Sequence, residues 1–157
     1  AARLCLCAAP LMQLTPLRLV FLTLPLCLSL LLSLFSSVSS PYMDEPFHLG
    51  QAKPDTALQL MRSRYSAYFF RLADYLVSTT HPDTREPDLK SHLDETIRQT
   101  NWSFLTIITT SKGGPDDKVG KVEFVAKYFA EGQPYELHER SRFKRYKGAW
   151  KYLDAKG

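Results

Sequence analysis

The hydrophobic period changes at Asn101, and that change limits what this 157-residue chain can fold into. Upstream, apolar residues recur at helical spacing. Pro54-Asp55-Thr56 starts a helix that Asp55 or Thr56 can cap. Leu58, Met61, Tyr65, Tyr68, Phe69 and Leu72 then fall on one helix face, with Arg62 at its edge and Arg64 directed away. A short helix over 73–78 stops before His81-Pro82, and Asp88 precedes a third with Leu89, Leu93 and Ile97 as its stripe. Downstream the residues alternate. Strands are predicted over 102–108, 121–129, 135–146 and 150–154. The turns between them are Ser111 to Pro115, Gly132-Gln133-Pro134 and Lys147-Gly148. Helices followed by an antiparallel meander make an α+β domain.

The third strand carries the candidate site. Leu137, Glu139, Ser141 and Phe143 share one face, and His138, Arg140 and Arg142 share the other. The apolar neighbours mark Glu139 as a buried acid, which is costly without a partner. Arg62 is the expected partner across a helix-to-sheet ion pair, with Tyr65 or Tyr68 hydrogen-bonding nearby and Ser141 in the same pocket. Such a pair serves architecture as readily as ligand binding. His81 reads as a cap rather than an acid–base group. The remaining histidines are not spaced as metal ligands, so neither a metal nor a cofactor is expected. Trp102, Trp150 and Tyr152 are assigned to the core. Arg140, Arg142, Lys144, Arg145 and Lys147 form a basic ribbon, but nearby acids make it a solvated sheet face and argue against nucleic acid.

The charge is unevenly distributed. Of the 20 lysines and arginines, only Arg3 and Arg18 precede Pro41, and none of the 16 acids does. All 3 cysteines, Cys5, Cys7 and Cys27, lie in this leader, so the globular part can hold no disulfide or thiolate site. Leu19 to Ser40 has no charged residue, and Leu19–Phe35 is close to the ~20 apolar residues that cross a bilayer. The expectation is one hydrophobic helix contacting the membrane, with the domain on the lumenal side by the positive-inside rule. Its rivals are a cleaved secretory signal, which would export the domain, and an organellar transit segment. The chain begins at Ala1 rather than Met, which suggests a fragment or processed product. The expected divisions are a leader over 1–40, a linker over 41–53 and a domain over 54–157.

Pro41-Tyr42-Met43-Asp44-Glu45-Pro46-Phe47-His48, followed by Gln51-Ala52, resembles the first lumenal loop of the dolichyl-phosphate-glucose α-1,2-glucosyltransferases of the endoplasmic reticulum. The resemblance implies a catalytic or metal- and phosphate-binding role for Asp44 and Glu45. As residues alone, the two acids are also ordinary loop material. One membrane span cannot supply the multi-helix groove that a lipid-linked donor needs.

A second resemblance covers the domain. LMRSRYSAY at 60–68, ADYLVSTTHPDTR at 73–85, VEFVAKY at 122–128 and HERSRF at 138–143 resemble the YchJ-like family. Family members usually carry cysteine-rich SEC-C zinc motifs beside this domain, which the cysteine positions here do not provide. The resemblance implies a cone-shaped nuclear transport factor 2-like fold, and it implies no particular reaction. Three functions compete. The first is a module binding a small ligand or protein partner, tethered or exported. The second is a glucosyltransferase N-terminal fragment fused to this domain. The third is a small-molecule enzyme using the cone pocket.

Overall fold

Four antiparallel strands in the order β1-β2-β3-β4 form the sheet in a computed structural model, which describes residues 44–156. The elements in chain order are α1 (Glu45–His48), α2 (Ala57–Phe69), α3 (Ala73–Thr79), a single 3-10 turn (Pro82–Thr84) and α4 (Leu89–Gln99). They are followed by β1 (Thr100–Lys112), β2 (Val119–Ala130), β3 (Gln133–Tyr146) and β4 (Ala149–Lys156). The α+β reading holds, and every strand is longer than its alternation suggested. The extensions mix polar and small or apolar residues held by pairing, such as Lys112 opposite Gly120 and Gln133 opposite Ala130.

Thr56 caps α2 through a reciprocal box: its side chain accepts from Gln59 N while Gln59 Oε1 accepts from Thr56 N. The helix then buries two faces rather than one. Leu60, Met61 and Tyr65 pack on Val122, Phe124, Phe143 and Trp150 of the sheet. Ala67 packs instead with Ala73 and Leu76 of α3 and with Leu93 and Ile97 of α4. This arrangement overturns two helical-face assignments. Arg64 lies in the seam and is only 8% exposed, whereas Phe69, at the helix end, is 45% exposed.

Alternation along β1 is interrupted at Trp102/Phe104 and at Ile107/Thr109. These irregularities let Trp102, Leu105 and Ile107 all face α2, although their spacing is not a constant two. The tightest approach lies where α2 begins. Ala57 N donates to Gly113 O at 2.9 Å, and Gly113 has φ 91°. Only glycine adopts that conformation without strain.

No helix among the described residues is long and apolar enough to cross a membrane. The expected span Leu19–Phe35 lies outside them.

Candidate functional site

Between α2, α4 and the concave side of the sheet lies a cavity of about 450 Å³. Its walls are largely aromatic. The Trp102 ring sits 4.9 Å from Tyr128 and 5.2 Å from Tyr68, and Tyr65 meets it edge-on at 6.1 Å. Trp102 and Tyr152 are therefore half-buried cavity walls, while Trp150 is core as expected. Two charged side chains reach this space, Arg64 from α2 and Glu139 from β3.

Arg64 is fixed from below. Its Nη1 donates to Leu76 O at 2.8 Å and to Thr79 Oγ1 at 2.7 Å, with Thr80 Oγ1 at 3.4 Å. These groups end α3, where helix carbonyls lack internal partners. The guanidinium carbon stands 4.6 Å from the Tyr152 ring centroid, a cation–π contact. Among the described residues its Nε and Nη2 have no hydrogen-bond partner, and no carboxylate forms an ion pair with it. Burial pulls the guanidinium below its ordinary pKa, partly offset by Tyr68, Tyr152, Tyr75 and Glu139. The group still carries its charge.

The Glu139 side chain accepts from Ser141 Oγ at 2.5 Å and has no other hydrogen-bond partner among the described residues. The expected Arg62–Glu139 pair does not form. Arg62 does not line the cavity. It lies toward Asp44, and its Nε is buried without a hydrogen-bond partner. The structure thus brings Tyr65, Tyr68, Glu139 and Ser141 together and places Arg64 where Arg62 was expected. A helical wheel with one buried face could not place Arg64 there. The available signal was the run of small residues Ser63, Ser66 and Ala67, which opens a second packing face beside it.

Burial raises the Tyr65 hydroxyl to about 12 and also raises those of Tyr68, Tyr75 and Tyr152. Glu139 adds to the rise at Tyr152 and Tyr68, whereas Arg64 opposes it. In the unfolded chain these phenols ionise near pH 10. Their contribution to stability is fully present below about pH 10 and is lost as pH climbs toward 12, because only the unfolded state then releases its protons. The urea midpoint is expected to be level from about pH 7 to 9 and to fall steeply beyond 10. A midpoint that held level to about pH 11 would show that these rings are solvated.

Asp44 and Glu45 do not converge. Asp44 is buried and accepts from Ser66 Oγ at 2.8 Å, whereas Glu45 is exposed. Burial raises the Asp44 carboxyl above its ordinary value, against the Ser66 bond and the nearby His48 and Arg62. His48 joins the same cluster through Ser63 O at 2.8 Å and the Tyr75 ring at 4.8 Å. The cluster packs α1 on α2. No paired-carboxylate site is formed.

His81 caps the 3-10 turn, its Nδ1 accepting from Asp83 N at 3.2 Å. The basic ribbon is dispersed. Arg140 holds Glu123 with two nitrogens, Arg142 grips Asp154 from two sides, and Arg145 turns to backbone carbonyls. Glu86, Asp88 and His92 bring ligand-type atoms within 4.8 Å of one another, a grouping the sequence reading missed. All three are exposed, and His92 with Asp88 is an ordinary i,i+4 pair at 3.2 Å.

Helices laid over a four-stranded antiparallel sheet, with a cavity between, define the nuclear transport factor 2-like class. The family described as YchJ, middle NTF2-like domain, matches residues 56–155, and the chain belongs to that family. A UPF0225 protein of Chromobacterium violaceum is 46% identical over 98 residues, which is 62% of this chain and 71% of the relative. A UPF0225 protein of Xanthomonas oryzae pv. oryzae is 45% identical over 112 residues, 71% of this chain and 82% of the relative. The solution structure of a SEC-C motif containing protein from Rhodopseudomonas palustris matches with a TM-score of 0.65 and 29% identity. That match covers 73% of this chain and 88% of the other. With every cysteine before Pro41, the matched region has no counterpart to a cysteine-rich motif. The comparisons lend no support to the glucosyltransferase resemblance of residues 41–52, which lie before the family match.

Proposed function

We propose that the domain is a binding module for a small, largely aromatic molecule, held in the cavity between α2, α4 and the sheet. The observation that carries this reading is the cavity itself. It holds about 450 Å³ between aromatic walls, and its two charged groups, Arg64 and Glu139, are not consumed by an ion pair with each other. Mostly apolar cavities with a few oriented polar groups are the usual form of ligand sites. At ~30 Å³ per water-sized group the space admits roughly fifteen of them, which suits one small molecule.

A membrane tether through Leu19–Phe35, with the domain lumenal or external, belongs to the same proposal. It is supported by the absence of charge from Leu19 to Ser40. Titrating the full-length chain with the neutral dye Nile red tests the binding reading. Saturable uptake at one site is expected, and the absence of any saturable uptake would refute it.

A further inference from the structure

The two charged groups of the cavity are each half used. Arg64 is a buried cation whose Nη1 is engaged while Nε and Nη2 are not. Glu139 is half-buried, with one oxygen on Ser141 and the other without a partner among the described residues. A buried charge such as Arg64 is normally paired, because an isolated one loses its hydration for nothing. Arg64 and Glu139 line the same cavity, yet they stop short of an ion pair. A ligand bearing both signs would complete both groups at once. An anion alone would satisfy Arg64 but meet the Glu139 carboxylate, and a cation alone would meet Arg64. The same cavity is lined by Tyr68, Trp102, Tyr128 and Tyr152, aromatic surface against which a ligand ring can pack.

We propose that the cavity, if it is the ligand site inferred above, takes a dipolar aromatic molecule the size of one amino acid. Its carboxylate sits on the free nitrogens of Arg64 and its ammonium group on Glu139. A planar guanidinium with two adjacent free donors matches a carboxylate in two-pronged fashion. Neither contact needs the fold to rearrange, since Arg64 is already fixed by the end of α3.

The test is calorimetric titration of the full-length chain with three matched probes: L-phenylalanine, 3-phenylpropanoate, which lacks the ammonium, and 2-phenylethylamine, which lacks the carboxylate. L-phenylalanine is expected to bind at least about tenfold more tightly than either truncated probe. Glu139→Gln should lower its affinity to that of 3-phenylpropanoate. Arg64→Met should lower it to that of 2-phenylethylamine. The wild-type comparison stands even if a variant folds poorly. Equal affinity for all three probes would overturn the proposal and leave a purely apolar site. No binding of any probe, with Nile red still taken up, would overturn the proposal while sparing the ligand-site reading. Loss of Nile red as well would remove both.

Discussion

Gly120→Val is expected to remove a large share of the domain's stability. A Cβ at Gly120 would stand 2.6 Å from Gly113 Cα, 2.9 Å from Ala57 Cβ and 3.1 Å from Gly113 N. Two of these neighbours are backbone atoms and cannot swing aside. Gly113 is itself held by its carbonyl bond to Ala57 N, so relief would require parting α2 from the β1–β2 hairpin. Overpacking typically costs about 1–3 kcal/mol and occasionally more, and a clash with backbone places this substitution toward the upper end, against a total stability of roughly 5–15 kcal/mol for a domain. Gly132 provides the contrast. It has φ 76° but nothing within 4 Å of a built Cβ, so Gly132→Ala should cost only about 1–2 kcal/mol of backbone strain. Urea unfolding of the two variants would separate the effects. A Gly120→Val midpoint equal to wild type would show that the hairpin does not sit against α2 as described.

Arg145→Ala is expected to cost about 2–4 kcal/mol, although Arg145 belongs to what the sequence presents as a solvated basic ribbon. Its guanidinium donates to Asp117 O at 3.0 Å, Gly148 O at 2.7 Å, Asp55 O at 3.1 Å and Pro115 O at 2.6 Å. It also lies 4.7 Å over the Trp150 ring, whose Nε1 shares the Asp55 carbonyl at 2.9 Å. One side chain therefore ties the start of α2 to the β1–β2 and β3–β4 connections. Hydrogen bonds from a charged donor contribute about 1.5–3 kcal/mol each when well buried, and partial exposure of this set lowers the sum. Lysine has a single nitrogen and cannot span four carbonyls, so Arg145→Lys should recover less than half of the loss. A change below about 0.5 kcal/mol in Arg145→Ala would contradict the role.

These two residues mark where the sequence was legible and where it was not. The shift from helical to alternating spacing at Asn101 located α2, α4 and the strands, because each has at least one buried face whose apolar residues recur at nearly regular spacing. Glu139, Ser141, Tyr65 and Tyr68 could be grouped by the same periodicity, and they do meet at the cavity. Arg64 could not, because α2 buries a second face whose small residues carry little hydrophobic signal. Arg145 shares the outward parity of a charged strand end, and nothing local reveals that three of its four acceptors, Asp117, Pro115 and Asp55, come from distant segments. Asp44 meets Ser66 from 22 residues away, a contact with no local signature. Long-range polar contacts of this kind depend on how elements stack, which spacing along one element does not encode.

The proposed ligand occupies the space between α2, α4 and the sheet rather than the apolar side chains exposed elsewhere. Phe104, Ile108 and Phe129 are 47%, 53% and 45% exposed and offer a rival surface for any hydrophobic dye. Leu137 lines the cavity, and tryptophan at that position would occupy much of its volume. The most direct measurement compares Nile red binding to the full-length wild type and to Leu137→Trp, with urea midpoints recorded for both. The account predicts saturable one-site binding in the wild type and at least about tenfold weaker binding in a variant that still unfolds cooperatively. Equal binding in both proteins, with folding intact, would place the dye outside the cavity and contradict the account.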